Sequence, residues 1–491
     1  MELDLVIRNG NLVTATEEVF ADIGIAKGKI ALLGKKLEGG ARTIDAEGNY
    51  VFPGGIDSHC HIEQVSSTGL LCADDFYSGT VSAAFGGTTT IIPFAAQHRG
   101  DSVRRVVTDY HGRAKPKAVI DYSFHLILSD PTESVMNDEL PELIRNGYTS
   151  FKVYMTYDRL RLDDYQMLDV LALARREGAL TMVHAESHDM IRWLTERLLA
   201  RGADAPKFHA VAHPRVAEAE AASRAISLAE LLDAPILIVH VSSEEAMDSI
   251  QRAQRRRLKV FAETCPQYLF LTADDLVPPP GGDRMAGALC CCSPPPRDRA
   301  AQEAMWRGLA DGTFEVFSSD HAPYRFDETG KLAGGPESSF ERIANGVPGL
   351  EVRMPLLFSE GVRKGRIDLH RFVELTSTRA AKLYGLFPRK GSLAIGADAD
   401  LAIWDADDER IVASGTLHDN VGYTPYEGRK VRGWPVTVLS RGRVVVDGGE
   451  LQVERGSGEF IAREKPLSAE PRSSSVPEWD LAKRFGAGEV W

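Results

Sequence analysis

Eight short apolar runs, each followed by a polar or amphipathic stretch, occupy the middle of this 491-residue chain. The first ends near residue 61, and the others cover residues 89–94, 121–128, 150–155, 180–184, 236–241, 258–263 and 314–318. Apolar runs of this length that alternate with amphipathic segments, such as 164–177, 189–199 and 244–254, are typical of parallel strands joined by crossover helices. Eight such units predict an α/β fold with a TIM-like (β/α)8 barrel, and they disfavour a doubly wound sheet.

The two ends of the chain show a different pattern of short strands separated by glycine-containing turns. Near the amino terminus we predict strands at 3–8, 12–14, 23–26, 29–33 and 42–45, with Asn9-Gly10 as a hairpin turn. Similar strands return at 401–404, 436–440, 443–446 and 451–453. Neither end is long enough to be stable alone, so we expect both to build one small β-sandwich domain.

The predicted organisation follows from these patterns. It comprises an amino-terminal β-sandwich segment at 1–52, the barrel at 53–390, a second β-sandwich segment at 391–455 and a carboxy-terminal tail at 456–491. The tail is rich in proline, serine and charge, which is typical of a flexible terminus. Its aromatic residues Trp479, Phe485 and Trp491 leave packing on a neighbouring subunit as the alternative.

The composition of the chain limits the classes of partner that it is expected to bind. The chain has 57 basic and 70 acidic residues, a net charge of −13 that gives no attraction to nucleic acid or an anionic membrane. Six cysteines, three of them contiguous at 290–292, are too few and too unevenly spaced for a disulfide framework. With no basic export signal and no apolar run of bilayer length, we expect a cytoplasmic protein without a membrane span that binds a small molecule.

The strongest local signal is the segment 57–61, DSHCH, which follows a strand-like stretch at 50–52 and a turn at 53–55 and lies at the end of the first predicted barrel strand. Side chains at i and i+2 of a strand point to the same face, so His59 and His61 can reach one metal ion. Such a pair alone is a weak signal. Its position at the carboxyl end of a barrel strand, where active-site groups collect, favours metal ligation.

Four later strand ends bring further potential ligands to the same edge: Lys152, His184, His240 and Asp320. A catalytic zinc ion takes three protein ligands and keeps one position open, so this donor set suits two ions better than one. An ammonium group has no lone pair and is costly to bury. Either the amine of Lys152 reaches solvent, or it reacts with CO2 to form a carbamate, an anion that can bridge two metal ions.

Further motifs accompany these residues in a fixed order along the chain. They are HCH at 59–61, FGGTTT at 85–90, FK at 151–152 with Tyr157 five residues on, HAE at 184–186, CSPP at 292–295, SDHAP at 319–323 and NGVPG at 345–349. On these motifs the chain, from its first strands to about residue 455, resembles the dihydropyrimidinase and hydantoinase family of cyclic amidohydrolases, within the amidohydrolase superfamily.

The resemblance implies a binuclear metal centre of Zn²⁺, with Mn²⁺ or Co²⁺ as alternatives. Its ligands would be His59, His61 and Asp320 for one ion, His184 and His240 for the other, and carboxylated Lys152 as the bridge between them. The family also assembles as homo-oligomers, so we expect a tetramer or a dimer.

The resemblance also implies a reaction, the opening of 5,6-dihydropyrimidine or 5-substituted hydantoin rings to N-carbamoyl amino acids. Tyr157 would donate a hydrogen bond to the substrate carbonyl as its oxyanion forms. Ser293 and Asn345 would hold the ring amide through backbone groups. Asp320 would accept a proton from the attacking water and return it to the leaving ring nitrogen.

Three alternatives remain open. An allantoinase, or another hydrolase of cyclic imides and ureides, would share the chemistry. A dihydroorotase should have an arginine just after the histidine pair, where this chain has Ile62-Glu63-Gln64. A non-catalytic structural homologue predicts missing ligands, whereas all six positions are filled.

The pocket for the ring substituent depends on loops at the rim of the barrel. The loop 62–73 and Pro93 depart from the family pattern. We predict that Leu70, Leu71, Tyr154 and Leu160 line this pocket.

Overall fold

Two sheets of parallel strands and one separate mixed sheet organise the chain. The computed structural model describes residues 2–66 and 68–472. The strands in this part of the chain are β1 (Leu5–Val13), β2 (Glu18–Ala26), β3 (Lys29–Gly34), β4 (Arg42–Asp45), β5 (Tyr50–Pro53), β6 (Gly55–Asp57), β7 (Thr88–Ile91), β8 (Phe94–Ala96), β9 (Asp121–Tyr122), β10 (His125–Ile127), β11 (Ser150–Tyr154), β12 (Leu180–His184), β13 (Ile236–Ile238), β14 (Val260–Thr264), β15 (Val316–Phe317), β16 (Leu401–Ile411), β17 (Lys430–Ser440), β18 (Arg443–Asp447) and β19 (Glu450–Leu451).

The helices lie mainly between the parallel strands. They are α1 (Phe76–Phe85), α2 (Val103–Ala114), α3 (Leu140–Arg145), α4 (Asp164–Glu177), α5 (His188–Leu199), α6 (Phe208–Ala212), α7 (Arg215–Leu232), α8 (Glu244–Arg255), α9 (Gln267–Phe270), α10 (Arg299–Asp311), α11 (Arg353–Leu357), α12 (Leu369–Val373) and α13 (Arg379–Leu383). None of the helices in the described residues is both long enough and apolar enough to cross a bilayer.

The parallel strands follow the eight predicted runs. Seven of these strands form a curled sheet in the order β15-β14-β13-β12-β11-β10-β8. The other three form a second sheet in the order β6-β7-β9. The second and third runs are each split in two, and Pro93, which has no N–H to donate, lies at the first split. Within the described ranges, strands β6 and β15 are not paired with each other, so the sheets form a curled, incompletely closed barrel wall. Beyond the carboxyl ends of β6 and β15, the His61 N–H donates a hydrogen bond to the His321 carbonyl at 2.7 Å.

Helix α4 illustrates how local sequence sets these elements. Asp163 caps its amino end by accepting from the Gln166 N–H, and the Gln166 side chain accepts in turn from the Asp163 N–H. Gly178 ends the helix in a left-handed conformation, with φ of 77°. The helix therefore begins and ends where the sequence pattern predicts.

Strands from both ends of the chain form one nine-stranded sheet, in the order β19-β18-β17-β16-β5-β1-β2-β3, with β4 also on β1. The two ends join where β5 pairs antiparallel with β16. The predicted turn at Asn9-Gly10 is wrong, because these residues form a bulge within the continuous strand β1. Asn9 has a φ of 56°, and a Cβ on Gly10 would lie 2.8 Å from a Val51 methyl group.

A buried ionic cluster connects this sheet to the amino ends of the parallel strands. The Lys390 amine lies 2.6 Å from carboxylate oxygens of Asp121 and Asp400 and 3.1 Å from Asp398. The three aspartates raise the pKa of Lys390 and outweigh the burial that would lower it. The lysine therefore stays a cation among these carboxylates.

Residues 456–472, predicted as the start of a tail, pack against the parallel strands. Tyr122 exchanges backbone hydrogen bonds with Glu459 and Ile461. The buried Arg463 side chain donates to the Ser150 hydroxyl at 2.7 Å and to the Phe124 carbonyl at 2.6 Å. This segment is therefore part of the folded unit. The predicted subunit packing by Trp479, Phe485 and Trp491 lies outside the described residues.

Candidate metal centre and active site

The first predicted ligand group lies together at the carboxyl edge of the parallel strands. The Asp320 Oδ1 atom is 3.0 Å from His59 Nε2 and 3.4 Å from His61 Nε2. One ligand atom from each of these three residues falls within 4.8 Å of the others. Two imidazoles and a carboxylate in this arrangement match the donors that divalent zinc prefers.

The second predicted pair lies beside the first group. His184 Nδ1 and His240 Nε2 are 2.8 Å apart, and the rings of His59 and His240 have centroids 5.4 Å apart. Burial lowers the pKa of His184 and His240, and it lowers the pKa of His61 to about 4. These rings are therefore neutral near pH 7, the state that offers a lone pair to a metal.

Lys152 lies between the two groups. Its side chain is buried, with Nζ 2.7 Å from His59 Nε2 and 4.3 Å from the centroid of the Phe94 ring. Among the described residues, no carboxylate forms an ion pair with this amine. Burial lowers the pKa of Lys152 to about 8, so the uncharged amine is accessible near neutral pH. The carboxylates of Asp320 and Glu263 oppose this effect of burial, but they do not outweigh it.

Three of the histidines are oriented by side chains for which the sequence analysis predicted no role. His59 Nδ1 contacts Glu263 Oε1, His61 Nδ1 is 2.8 Å from Gln64 Oε1, and His184 Nε2 is 2.8 Å from Glu186 Oε2. Each contact fixes the tautomer that leaves the other ring nitrogen free to bind a metal. Both the candidate ligands and the side chains that orient them therefore suit a metal centre.

The positions of two of these orienting residues in the sequence were partly informative. Glu263 is the last residue of a predicted strand, and Glu186 is the third residue of the HAE motif. Glu186 is held in turn by His213, whose Nδ1 is 2.8 Å from Glu186 Oε1. Only the fold shows which side chains these residues contact.

Three of the predicted residues adopt a left-handed backbone conformation that non-glycine residues rarely populate. The φ angles are 40° at His240, 45° at Asp320 and 71° at Tyr157. Each such residue costs about 1–3 kcal/mol, and such residues cluster at functional sites. Strain of this kind at three residues of one site supports a functional role for the arrangement.

A cavity of about 200 Å³ opens above the predicted ligands. Tyr157, Ser293 and Asn345 line it together. Burial raises the pKa of Tyr157, which keeps the hydroxyl protonated as a donor. The Asn345 Oδ1 atom is buried without a partner among the described residues. The cavity thus offers both a donor and a free acceptor.

Two of the four residues predicted for the substituent pocket line this cavity. Tyr154 and Leu160 line the cavity. Leu70 instead packs against the cluster around Cys72, and Leu71 is 53% exposed, so neither is part of the lining. Other residues take their place: Ser66, Thr68, Ala322, Tyr324, Arg342 and Ile343.

Known proteins resemble this chain over nearly its whole length. Residues 50–445 match the model of the amidohydrolase family. The D-hydantoinase of Rhizobium radiobacter is 45% identical over 464 residues, which cover 94% of this chain and 99% of that protein. The D-phenylhydantoinase of Escherichia coli is 39% identical over 467 residues, which cover 94% and 98%.

Solved structures agree with the sequence relatives. The crystal structure of dihydropyrimidinase from Brevibacillus agri matches with a TM-score of 0.91 at 41% identity, covering 94% of this chain and 99% of the solved chain. The chain therefore belongs to the amidohydrolase family, among the hydantoinases and dihydropyrimidinases.

Proposed function

We propose that this protein is a binuclear-metal cyclic amidohydrolase that opens 5,6-dihydropyrimidines, 5-substituted hydantoins or both to N-carbamoyl amino acids. The observation that carries the proposal is the convergence of His59, His61, Lys152, His184, His240 and Asp320 at one edge of the parallel strands. The relatives named D-hydantoinase and dihydropyrimidinase support the same reaction class.

The six side chains would hold two divalent ions, with Zn²⁺ favoured by the nitrogen and carboxylate donors and Mn²⁺ or Co²⁺ as alternatives. One would be held by His59, His61 and Asp320, the other by His184 and His240, and a carbamate on Lys152 would contact both. When bound, such ions lower the pKa of water and polarise an amide carbonyl.

The remaining chemistry belongs to side chains of the chain itself. Asp320 is a carboxylate, because His59 and His61 lower its pKa and outweigh the burial that would raise it. It can therefore accept a proton from water and return it to the departing ring nitrogen. The Tyr157 hydroxyl can donate to the substrate carbonyl oxygen, a contact that strengthens as negative charge develops there.

The ring amide would be held by the segments that carry Ser293 and Asn345. Both residues line the same cavity as Tyr157, so the groups that hold the ring and the donor for its carbonyl face one space. The scissile amide would thereby face the metal ligands while the ring substituent extends toward Leu160 and Thr68.

A panel of cyclic ureides and imides, assayed with metal-replete protein, tests the proposal. Dihydrouracil, 5-substituted hydantoins, allantoin and dihydroorotate are incubated separately, and ring-opened products are quantified. We expect turnover of the first two classes. If allantoin were opened about tenfold more efficiently than both, an allantoinase-like assignment would replace ours. Absence of bound metal and of all turnover would favour a non-catalytic structural homologue.

We further infer that the two parallel sheets act as one eight-unit barrel spanning residues 53–390, flanked by the β-sandwich segments 1–52 and 391–455. A cytoplasmic homotetramer or homodimer is the assembly that we propose for it.

A further inference from the structure

Lys331 is a fully buried lysine that none of the chemistry above uses. Its side chain has 0% exposure, and within residues 2–66 and 68–472 no carboxylate forms an ion pair with it. Burying an amine without a carboxylate partner costs folding free energy, so its polar contacts must offset that cost. The contacts made by its Nζ atom are therefore informative.

The Lys331 amine joins two separate segments of backbone. Nζ donates to the Cys291 carbonyl at 3.0 Å and to the Ala344 carbonyl at 2.9 Å. The Gly346 N–H donates to the same Cys291 carbonyl at 3.0 Å. The segments 291–293 and 344–346 are thus held together by one direct hydrogen bond and by one lysine that bridges them.

These two segments carry Ser293 and Asn345, which line the same cavity as Tyr157. The packing around them is tight, because a Cβ on Gly346 would lie 2.4 Å from the Ala322 Cβ atom. Small changes in the separation of the segments would therefore alter the distance between the groups that face the ring amide.

We propose that Lys331 is a positioning residue that sets the spacing of the two ring-binding segments and thereby the affinity for the cyclic amide. The inference rests on the proposed function. Contacts to the ring amide exist before the reaction begins, so their loss weakens substrate binding in the ground state and the transition state alike. The expected signature is a raised KM with a nearly unchanged kcat.

The variant Lys331→Met tests this, since methionine keeps the apolar stem and removes the donor. We expect KM for the best ring substrate to rise about tenfold or more, while kcat changes by less than about threefold and metal content per chain stays at the wild-type value. Lys331→Gln, which keeps amide donors on a shorter side chain, should give an intermediate KM.

Lys259→Met is the matched control. The Lys259 amine also bridges two carbonyls, those of Leu467 at 2.9 Å and Glu470 at 2.6 Å, but at the amino end of β14. This variant should leave KM unchanged.

Two kinds of failure are distinguishable. If the wild-type protein opens no cyclic amide, the proposed function fails. If the wild type is active but Lys331→Met has a wild-type KM, or loses metal and kcat, the positioning role is overturned. Failure of both Lys331 variants to fold, monitored by thermal unfolding, would also overturn it and make Lys331 a determinant of folding.

Discussion

Lys152 and Lys390 are equally buried, at 1% exposure each, yet they lie at opposite ends of the parallel strands in opposite surroundings. Lys390 is surrounded by three aspartates within 3.1 Å. Lys152 faces a histidine nitrogen and an aromatic ring. The pKa of Lys390 is raised by its carboxylates, whereas burial lowers the pKa of Lys152 to about 8.

The two lysines therefore illustrate two different roles of a buried amine. At the amino end of the strands, the lysine stays a cation and stabilises the junction with the nine-stranded sheet. At the carboxyl end, burial lowers the pKa of the lysine even though the nearby carboxylates of Asp320 and Glu263 act to raise it, so this amine loses its proton more readily than an ordinary lysine. Substitutions at the first end should change stability and leave catalysis intact, and substitutions at the second should do the reverse.

The largest effect is expected for Lys152→Ala. Loss of the proposed bridging group should lower kcat/KM by about ten-thousandfold and reduce metal content, measured by steady-state kinetics and elemental analysis. A short carboxylic acid such as propionate should restore part of the activity, because it supplies the missing carboxylate. The metal-free variant should unfold no more easily than metal-free wild type. Unchanged turnover would contradict the bridging role.

Lys390→Met probes the opposite end. It removes the only ion-pair partner of Asp400 among the described residues, while Asp121 keeps Arg441 and Asp398 keeps Lys29 and Arg389. The free energy of unfolding should therefore fall by about 3–5 kcal/mol in urea titrations. The protein that remains folded should keep its metal content and KM. A change in unfolding free energy below about 1 kcal/mol would show that the aspartates find other partners.

Tyr157→Phe removes one hydroxyl at the catalytic end. We expect kcat to fall by about a hundredfold, the typical cost of losing one donor to a developing oxyanion, with both metals retained. Loss of metal in place of kcat would assign Tyr157 a structural role.

The smallest effect is expected for Glu186→Gln, which weakens the orientation of His184. Metal affinity should fall about 10- to 100-fold, measured by competition with a chelator, while the free energy of unfolding of the metal-free protein changes little. The comparison between the two ends would fail if this variant destabilised the metal-free fold as much as Lys390→Met.

The sequence carried the information for the strands and for the residues at their ends. Because side chains alternate along a strand and active-site groups collect at one edge, the sequence alone places His59, His61, Lys152, His184 and His240 at that edge. The contacts that orient these side chains could not be predicted from the sequence. The Glu263 carboxylate meets His59 across 204 positions of sequence, and no local pattern encodes that distance.

The errors have a common physical origin in long-range contacts. Asn9-Gly10 has the composition of a hairpin turn, but pairing of β1 with β2 and β5 holds it in a continuous strand. Residues 456–472 have the composition of a tail, yet hydrogen bonds to Tyr122 and Ser150 order them. Leu70 and Leu71 lie in a loop whose path the sequence does not specify.

The pairing of β5 with β16 has a consequence for biosynthesis. Strand β5 ends at Pro53, whereas its partner begins at Leu401, so the nascent chain exposes an unsatisfied strand edge until most of translation is complete. A message truncated before β16 would therefore yield an aggregation-prone product in place of a shortened enzyme. Chaperone protection of the emerging polypeptide matters most during that interval.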